Sequence, residues 1–101
     1  MFLHHVLFWL HENLAEDDVF KFEAAMHTLL QIEHVHTGYI SKPTGTNKEE
    51  IERSYTYAVL LLFNSKAEHA LYQPHPVHRK FIDECAHLWS KVLIFDSVSI
   101  M

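Results

Sequence analysis

The segment Tyr72-Gln73-Pro74-His75-Pro76-Val77-His78 brings a phenol and two imidazoles into one short run. A neutral imidazole, titrating near pH ~6.5, can take a proton from the carbon α to a carbonyl. A phenol can donate a hydrogen bond to the oxyanion that then develops. His75 and His78 stand three apart at an expected helix start, which puts them on neighbouring parts of one face. His4, on the strand face expected to meet the helices, can join Tyr72 and His78 at a cleft between sheet and helices. Such chemistry would have His78 as general base, Tyr72 as hydrogen-bond donor and His4 in support. His75, Trp9, Phe8 and Met26 would bind the ligand, the last three as apolar wall. The bland alternative is a folding corner: His75 caps the helix that Pro76 begins, and His78 bonds the Tyr72 hydroxyl.

Other constellations carry less. His34-x-His36 has a spacing that could hold zinc on one strand face, but no cysteine or carboxylate completes the set, since Glu33 is expected on the opposite face. No metal or other cofactor is therefore expected. Cys85 sits in an apolar helical stripe and reads as core. Glu49, Glu50, Glu52 and Arg53 read as a solvated loop edge. The chain has no phosphate-binding Gly-rich loop and no Ser nucleophile motif.

The elements that must position these residues follow from periodicity. Residues 2–11 alternate as a strand, with Phe2, His4, Val6, Phe8 and Leu10 on one face and Leu3, His5, Leu7 and Trp9 on the other. Asn13-x-x-Glu16 has capping-box spacing. Val19, Phe22, Met26 and Leu29 then mark an amphipathic helix to about Gln31. Residues 34–42 read as a strand weakened by Gly38, and 43–53 as a polar loop. Residues 54–63, with the apolar run Ala58 to Phe63, are the strongest strand. Ser65-x-x-Glu68 opens a short helix to about Gln73. Pro76 opens another, with the stripe Val77, Phe81, Cys85 and Leu88. Residues 90–100 close the chain as a strand, with Val92, Ile94, Val98 and Ile100 on one face.

The order βαββαβ is the ferredoxin-like arrangement, an α+β fold with both helices on one side of a four-stranded antiparallel sheet. The opposite side is nearly as apolar and needs cover. Each large apolar side chain left wet forgoes roughly 1.5–3 kcal/mol. Five or six of them amount to about 8–15 kcal/mol, comparable to the stability of a small domain. A second copy, sheet to sheet about a two-fold axis, is the expected solution.

Composition narrows the setting. A chain of 101 residues suits one domain, spanning 1–101. Its net charge of −5 argues against a nucleic-acid surface. The apolar run Tyr57 to Phe63 is far short of a membrane helix. The opening Met1-Phe2-Leu3-His4-His5 lacks the pattern of a signal peptide, and one cysteine fits a reducing compartment. A cytoplasmic location is expected. The ten histidines are the compositional oddity, and their joint protonation would reverse the sign of the net charge.

The sequence resembles the stress-responsive dimeric alpha/beta-barrel family over essentially its full length. His4-His5-Val6-Leu7-Phe8-Trp9-Leu10 fits the family's H-x-V-L-F-x-L pattern, with His4 as its usual histidine. Tyr72 followed by His75-Pro76-Val77-His78 fits the signature of a tyrosine and H-P-x-H at a helix start. Val92-Leu93-Ile94-Phe95-Asp96 is the third matching segment. The resemblance implies a sheet-to-sheet dimeric barrel and, for most members, no defined activity; plant relatives are associated with stress or defence. One branch contains a polyketide cyclase whose site residues match His4, Tyr72 and His78. The implied reading is a small protein that binds an apolar metabolite in a sheet–helix cleft, or else a cyclase- or isomerase-like enzyme.

Overall fold

A computed structural model describes residues 1–101. Its elements are β1 (Phe2–Leu10), α1 (Glu16–Leu29), β2 (Thr37–Ser41), β3 (Tyr57–Phe63), α2 (Lys66–Tyr72), α3 (Pro76–Cys85), a 3₁₀ turn (Ala86–Leu88) and β4 (Trp89–Val98). The four strands form one antiparallel sheet in the order β2-β3-β1-β4. This is the ferredoxin-like fold.

Register decides which side chains share a face. Phe2, His4, Val6 and Phe8 of β1 lie opposite Phe63, Leu61, Val59 and Tyr57 of β3. The same four lie opposite Val98, Asp96, Ile94 and Val92 of β4. All eight β1 and β3 residues of this inner face are buried, together with Phe22, Met26 and Leu29 of α1, Tyr72 of α2, and Phe81 and Cys85 of α3. β4 differs: Val92, Ile94 and Val98 stay exposed, because the helices do not cover this edge.

Local signals held unevenly. Ser65 caps α2, its Oγ accepting from the Glu68 amide at 3.2 Å. Asn13 does not cap α1. Its φ of 65° turns the chain through the left-handed region that asparagine tolerates. An N-cap needs extended backbone, so α1 starts with Ala15 at that position and no side-chain cap. The acidic run Glu16, Asp17 and Asp18 still faces the helix's positive end.

β2 is shorter than expected because residues before it are spent in turns: the Val35 amide bonds the Ile32 carbonyl at 2.9 Å. Gly38 is demanded by close packing. A Cβ there would stand 2.8 Å from Leu61 Cδ2 and 3.1 Å from the Leu60 carbonyl oxygen. Residues 54–56 precede β3, and Ile100 lies beyond the end of β4.

The outer face carries rows that cross the whole sheet, including Tyr39–Leu60–His5–Phe95 and Ser41–Ala58–Leu7–Leu93. No helix covers them. Tyr39 is 61% exposed and Phe95 54%.

Candidate functional site

Between the inner face and α3 lies a cavity of about 250 Å³, lined by His4, Phe8, Tyr72, His78, Trp89 and Ile94 among others. Eleven of its 14 lining residues are hydrophobic, so its few polar groups stand in apolar surroundings. β1 presents His4, the last residue of α2 presents Tyr72, and the first turn of α3 presents His78. The bend that joins α2 to α3 is held by the His75 side chain, whose Nδ1 accepts from the Val77 amide at 3.1 Å.

His78 does not bond Tyr72. Its Nδ1 donates instead to the Gln73 carbonyl oxygen at 2.9 Å. In the neutral ring this leaves Nε2 as the unprotonated nitrogen. Burial, the largest influence, holds the His78 pKa below the ordinary imidazole value, and nearby His4 and His75 act in the same direction. The ring is therefore neutral, with a free lone pair, at physiological pH.

Tyr72 is 2% exposed. Its hydroxyl has no protein hydrogen-bond partner but is not sealed from the cavity. Burial alone pushes its pKa upward, so the phenol stays protonated and able to donate.

His4 is buried, with its Nδ1 2.6 Å from Asp96 Oδ1. Asp96 sits directly opposite on β4. The carboxylate accepts from Nδ1, which leaves His4 Nε2 free, an arrangement that orients an imidazole. His69 of α2 completes the cluster, its ring 4.7 Å from that of His4 and stacked 4.4 Å over Phe2. Its pKa is also lowered, chiefly by burial.

Sequence reasoning missed His69 and Asp96. Asp96 becomes visible once β1 and β4 are registered, and His69 precedes Tyr72 by three positions on the same helix.

The remaining candidate residues are scattered. Phe8 lines the cavity. Met26 is a fully buried core residue outside it. Trp9 points to the other side of the sheet, because residues alternate along β1; its indole donates to Ser54 Oγ at 2.9 Å. His75 faces a wider groove of about 740 Å³ between α1 and α3, which reaches none of His4, Tyr72 or His78.

The His34-x-His36 expectation also changes. Both residues precede β2, so they share no strand face. Glu33, expected to point away, stands 3.6 Å from His34 Nε2 and 3.1 Å from His75 Nε2. His34 Nδ1 meets Glu68 Oε2 at 2.7 Å. His34 and His75 each have a carboxylate partner, and this network ties the approach to β2 to α2 and α3.

Comparison with known proteins agrees with this architecture. A Dabb family protein from Mesorhizobium loti shares 22% identity at a TM-score of 0.79, covering 99% of this chain and 97% of its own. A dimeric ferredoxin-like protein of unknown function from Thermobifida fusca shares 19% identity at a TM-score of 0.79, covering 97% and 90%. A hydroxynitrile lyase from Passiflora edulis shares 16% identity at a TM-score of 0.83, covering 99% and 94%. No curated protein matches the chain in sequence. The stress responsive A/B barrel domain matches residues 2–99, so the chain belongs to that family.

Proposed function

We propose that this protein binds a small apolar carbonyl compound in the cavity and moves a proton on it, in a cyclase- or isomerase-like reaction. His78 Nε2 takes the proton from the carbon α to the carbonyl. Tyr72 donates a hydrogen bond to the enolate oxygen that forms, and His4, braced by Asp96, supports the site and orients the substrate. The proton held on His78 then returns to a second carbon, or to the alkoxide of an aldol product, which restores the neutral ring. No metal enters these steps.

One observation carries this reading: the Tyr72 hydroxyl makes no hydrogen bond to the protein and is accessible from the cavity that Tyr72 lines. An accessible donor without a protein partner is open to water or to a substrate oxygen. A corner kept for folding would have paired it with His78, whereas a substrate oxygen would satisfy it. The volume of 250 Å³ sets the scale. At ~30 Å³ per water it has room for about eight waters, and it falls just under the roughly 300 Å³ of common ligand sites. The occupant is therefore small, on the scale of one substituted ring. The neighbour named as a hydroxynitrile lyase indicates that this fold can carry an enzyme; its substrate is not transferred here.

The working unit in this proposal is a homodimer joined through the outer sheet face. Its support is the row Tyr39–Leu60–His5–Phe95 together with neighbours described as dimeric. The proposed place of action is the cytoplasm, a reading supported by one unpaired cysteine buried in the core.

The test is solvent deuterium exchange, followed by NMR, into a panel of small aryl ketones and 1,3-diketones. His78→Ala should lower the catalysed exchange by about 100-fold or more. Exchange at the parent rate in a folded His78→Ala protein would refute the base assignment. Saturable binding without any exchange would leave a metabolite-binding protein and remove the catalytic part of the proposal.

A further inference from the structure

We propose that His4, His69 and Asp96 form a divalent-cation site of zinc type at the end of the sheet beside the cavity. The three donors come from β1, α2 and β4, and their ligand atoms all lie within 4.8 Å of one another. Two imidazoles and one carboxylate are a donor set that zinc takes in open sites, with a remaining position for water or a ligand oxygen. The site takes His4 and Asp96, which the acid–base reading assigns to support, and leaves Tyr72 and His78 free.

The geometry asks for little movement. The His4 and His69 rings are 4.7 Å apart and tilted by 46°, close to the ~5 Å expected for two imidazoles on one tetrahedral ion. Asp96 Oδ1 now shares a proton with His4 Nδ1 at 2.6 Å. A cation taking that proton's place requires the gap to open to about 3.3 Å, the edge of a tetrahedron with ~2.0 Å bonds. The Asp96 side chain is 42% exposed on an edge strand, so it can shift.

The rings themselves are held. Phe2 stacks on His69, and Phe63 meets its edge at 5.1 Å. Gln73 Nε2 donates to His69 Nε2 at 3.0 Å, so a cation held at His69 Nδ1 requires the Gln73 amide to turn and accept from Nε2–H through its oxygen.

The experiment is calorimetric titration of the untagged, chelator-stripped protein with Zn²⁺, paralleled by Co²⁺ absorption to read coordination. One ion per chain with micromolar or tighter affinity is expected. His69→Gln and Asp96→Asn should each weaken binding at least tenfold, within the 10–100-fold range typical of such losses. His34→Ala, at the other histidine cluster, should leave binding unchanged. Circular dichroism confirms that each variant is folded. Absence of binding at 100 μM Zn²⁺ (roughly a hundred times the micromolar affinity expected) overturns the proposal, as does undiminished affinity in both His69→Gln and Asp96→Asn. Loss confined to His34→Ala would overturn it too.

Discussion

Tyr72 and His78 lie with ring centroids 4.6 Å apart and planes tilted by 48°, yet they are not hydrogen-bonded to each other. The Gln73 carbonyl takes the one proton that a neutral His78 can donate. The two side chains thus line one cavity without satisfying each other.

Tyr72→Phe follows directly. The lost hydroxyl has no protein partner, so urea unfolding should show stability unchanged or raised by up to about 1 kcal/mol. The same variant should bind and turn over carbonyl ligands less well. A loss of 1–3 kcal/mol would instead indicate a satisfied buried hydrogen bond.

Acid should destabilise the fold through His69 and His78. Both have folded pKa values lowered mainly by burial. Below the unfolded value near ~6.5, the unfolded chain binds protons that the native chain refuses. Stability is therefore full above that pH, falls as pH drops through the folded values, and then levels off. Urea midpoints between pH 7.5 and 5 should decline for the parent protein. The decline should be shallower in a His69→Gln/His78→Gln protein, and equal slopes would remove these groups as the cause.

Gly38→Ala tests the close approach of β2 to β3. With Leu61 Cδ2 at 2.8 Å and Leu30 Cγ at 3.2 Å from the added carbon, both leucines must move. A loss of about 1–3 kcal/mol in chemical denaturation is expected from such overpacking. An unchanged midpoint would mean that the strand yields without cost.

Phe95→Lys tests the outer face. Phe95, itself exposed, lies directly opposite half-buried His5 on the outer face of the sheet. A charge there opposes sheet-to-sheet burial, so sedimentation at micromolar concentration should move from dimer toward monomer. A parent protein that already sediments as a monomer would refute the assembly.

The sequence made the element order legible because the aromatic and aliphatic runs 2–10 and 58–63, set between helix start and stop signals, leave few alternatives. It also disclosed His4, Tyr72 and His78, since the Tyr72-to-His78 run combines a helix stop, a helix start and two imidazoles. It did not disclose their partners. His78 bonds a backbone carbonyl five residues back, a contact set by the Pro74–Pro76 bend rather than by residue type. Asp96 and His69 reach His4 through sheet register and helix docking, which are tertiary. Asn13 failed as a cap because local spacing does not report a left-handed backbone. Trp9 was assigned to the cavity wall on its chemistry alone, although its position on β1 sends it to the opposite face.

The most direct test is the nitrogen-15 chemical shift of both ring nitrogens of His78 at pH 7.5, with Tyr72→Phe as reference. A protonated Nδ1 and a lone-pair-bearing Nε2, unchanged by Tyr72→Phe, are predicted. A protonated Nε2, or a shift that moves when the Tyr72 hydroxyl is removed, would mean that the two side chains satisfy each other and that the cavity holds no free base.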